Sequence, residues 1–183
     1  GQFLAAYTYG KSNDYYSGGT VNELTNTFGD QWDWRTNYGA SDFNRDQRLV
    51  ISGTYDLPKF VDRSSNSKWL LNDWQVAGIA VFQTGLPYSV VDSNGTSIIQ
   101  RANVISGQID GVGDPDERLN QYFNTGAFAT SRLGAVSFDP NNPFGNSERN
   151  LLVGPGQKNV DISFIKFIPF NERLRGEFRT EFF

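Results

Sequence analysis

Leu174-Arg175-Gly176-Glu177-Phe178-Arg179-Thr180-Glu181-Phe182 decides the fold of this chain. Alternate positions hold Leu, Gly, Phe, Thr and Phe on one side and Arg, Glu, Arg and Glu on the other, a period of two that only a strand produces. Just upstream, Val160, Ile162 and Phe164 alternate with Asp161 and Ser163, and the short polar stretch Asn171-Glu172-Arg173, entered through Pro169, reads as a turn. Asn159 to Phe183 is therefore a hairpin with one apolar and one charged face. The second arm stops at Phe183 with no cap or polar tail to satisfy its backbone groups. Together with the absence of Met, this predicts an excised piece of a longer sheet.

Three more strands precede the hairpin. Phe3 to Tyr9 alternates Phe, Ala, Tyr and Tyr against Leu, Ala and Thr. In Arg48 to Leu57, Leu49, Ile51, Gly53, Tyr55 and Leu57 oppose Arg48, Val50, Ser52, Thr54 and Asp56, and Pro58 ends the run. Trp74 to Gln83 is less clean, because Ile79 and Val81 share a face with Gln75, Ala77 and Gln83. Between the strands lie Gly10 to Asp46, polar and rich in Gly, Asn and Asp, with Trp32, Trp34, Tyr38 and Phe43 out of period, then the shorter Lys59 to Asp73, then Leu86 to Gln157. The last carries the turn signals Asn94-Gly95, Asp114-Pro115, Asp139-Pro140, Asn142-Pro143 and Gly154-Pro155-Gly156, with apolar runs at Tyr88 to Val91 and Val104-Ile105 expected as strand extensions or small hairpins.

Composition narrows the function. In 183 residues there is no Cys and no His, so no Ser-His or Cys-His pair and no common zinc site can be built. A net charge of -4 without a basic run argues against nucleic-acid binding. Asp110, Asp114, Asp116 and Glu117 lack the spacing of a calcium loop and read as solvated turn formers. Asn94-Gly95-Thr96 reads as an Asn-Gly turn rather than a glycosylation site. Glu177 and Glu181, four strand residues apart, are about 13 Å from one another, beyond the roughly 5 to 9.5 Å of a glycosidase pair. The expectation is a chain with no catalytic residue, no metal and no cofactor. No run of about 18 apolar residues offers a transmembrane helix, which leaves transmembrane strands open.

The connections point to the class. Long and short links alternate strictly, and an antiparallel meander puts every long link on one rim and every short one on the other. Outer-membrane barrels have that asymmetry, and strands of roughly 10 residues tilted about 40° span their apolar band of about 25 Å. The predicted fold is all-β: an antiparallel up-and-down meander forming an open part of a transmembrane β-barrel with long extracellular loops. Five strands fall short of the eight that the smallest single-chain barrels use. Leu49, Ile51, Tyr55, Phe178 and Phe182 are expected to face lipid, with Phe178 near mid-bilayer. Arg48, Asp161, Arg175, Glu177, Arg179 and Glu181 are expected to face the lumen, the last four as a ladder pairing within and across strands. Tyr7, Tyr9, Tyr55, Trp69, Trp74, Phe82 and Phe170 are placed for interfacial girdles. The alternative is a secreted β-sandwich ligand- or carbohydrate-binding module, with the apolar faces inside.

A series of short segments then carries a resemblance: Ala6-Tyr7-Thr8-Tyr9-Gly10-Lys11-Ser12, Ser41-Asp42-Phe43-Asn44-Arg45, Trp74-Gln75-Val76-Ala77-Gly78, Phe82-Gln83-Thr84-Gly85-Leu86-Pro87-Tyr88 and Arg101-Ala102-Asn103-Val104, followed by Tyr122-Phe123-Asn124-Thr125-Gly126-Ala127-Phe128, Phe144-Gly145-Asn146-Ser147-Glu148-Arg149-Asn150 with Gly154-Pro155-Gly156, Asn159-Val160-Asp161-Ile162-Ser163 and Phe178-Arg179-Thr180-Glu181-Phe182-Phe183. In this order they resemble the C-terminal part of the barrel of a TonB-dependent outer-membrane receptor, particularly the Oar-like group that begins with a carboxypeptidase-regulatory-like domain. The chain departs from the family at Asp46-Gln47-Arg48, where a His is common, and in lacking the Asn/His segment after Glu-Phe-Phe. The resemblance implies uptake of a scarce solute across the bacterial outer membrane. It implies as partners the outer-membrane lipid, a plug domain and, through the plug, the TonB energy-coupling complex. The plug and N-terminal domains are expected outside residues 1–183, and ligand contacts are expected in the loops.

Overall fold

The computed structural model describes residues 1–17, 29, 30, 32–62, 67–92, 100–109, 121–171 and 174–183. The chain forms two compact units, one of Gly1–Gly10, Asp46–Thr84 and Gly156–Phe183, the other of Lys11–Arg45 and Gly85–Pro155.

The first unit is a five-stranded antiparallel meander: β1 Gln2–Tyr9, β2 Gln47–Asp56, β3 Trp74–Gln83, β4 Gln157–Pro169 and β5 Arg175–Phe182, hydrogen-bonded in chain order. The expected strands are all present, within a residue or two at most ends. The exception is β4, whose 13 residues reach further both ways than alternation alone marks out. Register fixes the rims. Tyr9 pairs with Gln47, Arg48 with Gln83, and Gln83 with Gln157, so both long connections leave from one end of the sheet. Asp56 pairs with Gln75 and Pro169 with Arg175 at the other end, where the links are short. The turn residues Glu172 and Arg173 lie outside the described residues. Among the described residues the sheet is open, with β1 and β5 at its edges, and the other ladders have two strands each. Among the described residues there is no second large sheet of the kind that a β-sandwich would require.

The link after β2 was legible only as polar. It holds the one-turn helix α1, Lys68–Leu71, followed by Asp73 at φ 60. Asn72 fastens the link to itself, its Oδ1 accepting from the backbone N–H groups of Phe60 (2.9 Å) and Val61 (3.1 Å) while its Nδ2 donates to the Val61 carbonyl.

The second unit is built from the two long connections. Their short apolar runs do form small ladders: Pro87–Tyr88 with Leu152–Val153, Val91–Asp92 with Gln100–Arg101, and Asn103–Val104 with Phe128–Ala129, while Asn13–Asp14 pairs with Gly39–Ala40. The Asn94-Gly95 turn signal lies outside the described residues. Side chains cap the 3₁₀ turns at Trp34–Asn37 and Thr125–Ala127, Asp33 accepting from Arg35 N–H and Asn124 from Gly126 N–H. Gly145, at φ +82, passes so close to Arg101 that an added Cβ would lie 1.9 Å from its carbonyl oxygen, which only glycine permits.

Candidate functional site

Paired residues in a ladder share a face, so the register sorts every side chain of the sheet. One face carries the rows Ala5–Ile51–Ala80–Val160, Phe3–Gly53–Gly78–Ile162–Phe182 and Tyr55–Val76–Phe164–Thr180. No charge interrupts them. Beyond these rows stand Tyr7, Leu49, Phe82 and Lys158 at the long-loop end and Trp74, Lys166 and Phe178 at the other. Lys158 and Lys166 are eight residues apart on one strand, about 26 Å along it and about 20 Å along the normal of a sheet tilted about 40°. Long cationic stems at the margins of an apolar band can carry their ammonium groups to the water interface. Lys166 is nevertheless buried: its Nζ donates to the Asn72 carbonyl and sits 5.7 Å from the centre of the Trp74 ring. These two lysines share the parity of Val160, Ile162 and Phe164, a signal the alternation contains but that apolar counting passes over.

The opposite face holds all six sequence-predicted residues. Arg48 lies in the row of Thr8 and Gln83 near the long-loop rim. Asp161, opposite Ile79, accepts from Asn159 Nδ2 at 2.9 Å. The β5 ladder pairs with itself: Arg179 reaches Glu177 at 2.9 Å and Glu181 at 3.6 Å. Across on β4 it meets Phe167, Ile165 and Ser163 instead of charges, so the expected cross-strand pairing is absent on that side. Arg175 covers the Phe167 ring, its guanidinium carbon 3.6 Å from the centroid. Glu177, Arg179 and Glu181 come together, whereas Arg48 and Asp161 occupy separate rows. Between them the face is lined by short side chains, Ser52, Thr54, Ala77 and Ser163, which with Gln2, Leu4, Ile79 and Asp161 bound a trough of about 390 Å³.

Phe178 occupies the row of Lys166 and Trp74, at the margin of the apolar band. Its expected mid-bilayer place belongs to the Phe3–Gly53–Gly78–Ile162–Phe182 row, midway between the two lysines.

The loop unit centres on residues that no periodicity marks. Arg149 is buried and donates to Asp14 Oδ1 (2.5 Å), the Asp14 carbonyl (3.1 Å), Ser17 Oγ (2.7 Å) and Asp42 Oδ1 (3.0 Å). Asn150, at φ 54, donates to the Ala40 carbonyl and to Asp42, both at 2.7 Å. Arg101, also buried, donates to the Thr36 carbonyl at 2.8 Å. Burial lowers the Arg101 pKa and the nearby Arg149 charge adds to that. Burial pushes the Asp14 carboxyl up, but hydrogen bonds from Arg149, Ser17 and Ser41 and the charge of Arg149 outweigh it and hold the group below its ordinary value of 3.8. One guanidinium, Arg149, is shared by the carboxylates of Asp14 and Asp42 and clasps one connection to the other, while Arg101 adds a hydrogen bond to the Thr36 carbonyl. The loop aromatics divide between packing and exposure: Tyr15 lies against Trp34 (4.7 Å) and Tyr38 (5.1 Å), while Trp32 is 93% exposed.

No group of three or more metal-ligating side chains occurs among the described residues. Asp110, Asp114, Asp116 and Glu117 lie outside them. No helix among the described residues is long and apolar enough to cross a membrane, which has no bearing on strands.

A one-layer sheet with a charge-free band on one side and charges on the other is stable only where lipid wets the first and water or protein the second, which is the wall of a transmembrane β-barrel. The sequence agrees: the chain belongs to the Outer membrane beta barrel domain family, which it matches over residues 1–183, and its place is the bacterial outer membrane. No curated protein and no solved structure matches it.

Proposed function

We propose that this sheet is part of the barrel wall of a TonB-dependent transporter that takes up a scarce solute, with the charged face turned to a lumen occupied by a plug domain. The observation that carries the reading is the trough lined by Ser52, Thr54, Ala77 and Ser163. Small barrels fill their interiors with their own side chains, whereas the largest transporters leave room for a plug. Short side chains beside an ion-paired ladder and a covered Phe167 make a wall suited to packing against protein. The resemblance through Trp74 to Gly78 and Phe144 to Asn150 supports the same assignment. The long connections, leaving from one rim, form the extracellular vestibule. The plug transmits the energy of the TonB complex, and the chain itself binds no nucleic acid and catalyses no reaction.

The test is solute-limited growth and uptake by cells carrying the parent protein, with and without TonB. Uptake that persists unchanged without TonB contradicts the proposal. A second measurement reads the wall: Ala77→Arg, which fills the trough, should reduce uptake while leaving membrane insertion intact. A purified parent protein that conducts as an open pore would replace the transporter by a porin.

A further inference from the structure

We infer that α1, with Phe60 and Phe170 beside it, forms a foot lying in the phospholipid interface of the leaflet at the short-link rim, outside the barrel wall. Three contacts place this segment on the lipid side. Trp74, on the lipid-facing row, donates its indole Nε1–H to the Leu70 carbonyl at 2.7 Å. Lys166, on the same row, donates its Nζ to the Asn72 carbonyl. Beyond the next turn, the Phe170 ring lies over Gly176 on the same face, so near that an added Cβ would meet it at 2.9 Å. The chain is thus folded outward at this rim.

What it displays there is apolar. Trp69, Leu70 and Leu71 are 65%, 51% and 40% exposed, and Phe60 and Phe170 are similarly bare. Three consecutive apolar residues on a single helical turn cannot all turn inward, and in water this would be an unfavourable cluster. The face is continuous through Trp74 with the lipid-contacting band, which decides the occupant: the headgroup and upper acyl region of phospholipid. An interfacial segment of this kind buries its apolar side about 5–10 Å into that boundary, and Trp is enriched there. Lys166 gives up a snorkelling position to hold the carbonyl of Asn72, so the foot is fixed to the wall.

The inference rests on family membership and reads no transport, so it stands or falls separately from the assignment above. The chain has no Cys, which lets single cysteines be placed at Trp69, Leu70 and Leu71 on a cysteine-free background of the parent protein. Nitroxide labels there are compared, in vesicles of phosphatidylethanolamine and phosphatidylglycerol, for collision with oxygen and with an aqueous nickel chelate. Labels at Phe178→Cys and Asp56→Cys provide the lipid and aqueous references. Leu70→Cys and Trp69→Cys should favour oxygen as Phe178→Cys does. Chelate preference at all three positions, with Phe178→Cys still favouring oxygen, would overturn the inference in favour of a solvated loop or a site for another protein. Combining Lys166→Gln with Trp74→Phe should shift the Leu70→Cys label toward the chelate and leave the Phe178→Cys label unmoved. An unmoved Leu70→Cys label would refute the tethering.

Discussion

The sheet and the loop unit are inverted with respect to one another. In the sheet, apolar side chains stand outside: Phe3, Tyr55, Phe178 and Phe182 are largely exposed, and Ile165 is the buried aliphatic. In the loop unit the buried positions are chiefly polar: Ser41, Asn44, Arg101, Asn103, Ser131, Arg149 and Asn150. Each arrangement would fail in the other's surroundings. A sheet in lipid satisfies its backbone within its own ladders and can leave its side chains bare. Long connections without continuous secondary structure must find partners for their backbone groups, and short polar side chains supply them.

The sharpest way to break this contrast is to remove the loop unit's cation. Arg149→Ala removes the cation shared by Asp14 and Asp42, leaving the largely buried Asp42 carboxylate uncompensated in charge though still hydrogen-bonded by Asn150, and should cost up to about 3–5 kcal/mol of local stability, measured as urea-dependent protease sensitivity of the two long connections in the folded parent barrel. Retained protection would show that the clasp is incidental. Acid should act in the same direction. The folded Asp14 value is depressed, so its contribution is present above the ordinary carboxylate range and disappears as pH falls through the folded value. Protease sensitivity should therefore rise only below about pH 3.8, and Asp14→Asn should flatten that rise.

In the sheet the effect depends on depth. Ile162→Arg, midway between the lysines, should cost about 2–4 kcal/mol, and Phe178→Arg at the margin about 0–1 kcal/mol. Reversible unfolding in detergent or lipid reads both. Equal costs at the two positions would contradict the assignment of the band. The smallest change is expected on the charged face: Glu181→Gln loosens an ion pair between half-exposed groups and should cost no more than about 1 kcal/mol, decreasing with added salt. A large loss there would mean that Glu181 has a further partner.

Strands and faces were legible because one chemical rule, alternation, runs through each of them without a break. Even the mixed face of β3 was readable, since Ile79 and Val81 keep the parity of Gln75 and Ala77 and the structure puts them on the charged side. Lys158 and Lys166 obey the same parity but were not singled out, because a cation among apolar positions registers as noise until register gives it a height. The β5 ladder was expected to pair across strands. Its neighbours Ile165 and Phe167 come from an extension of β4 that the alternation of Val160 to Phe164 does not reveal. The loop clasp was hidden for a different reason. Asp14, Asp42 and Arg149 are widely separated in sequence, as are Thr36 and Arg101, and their pairing depends on turns such as those at Gly145 and Asn150, where no period exists to read. In the link after β2, polar composition hid a one-turn helix held by hydrogen bonds from Trp74 and Lys166.

The spacing of Lys158 and Lys166 has a further consequence for the membrane itself. A charge-free height of about 20 Å falls short of the hydrocarbon thickness of about 30 Å in an average bilayer, and thickness mismatch costs fractions of a kcal/mol per Å. Snorkelling of Lys158 meets part of that difference and local thinning of the bilayer the rest, and the strain is least in a membrane that is already thin. The bacterial outer membrane is thinner than average. The height of the charge-free band thus acts as a gauge of thickness, favouring the membrane in which the protein resides and disfavouring retention in a thicker one.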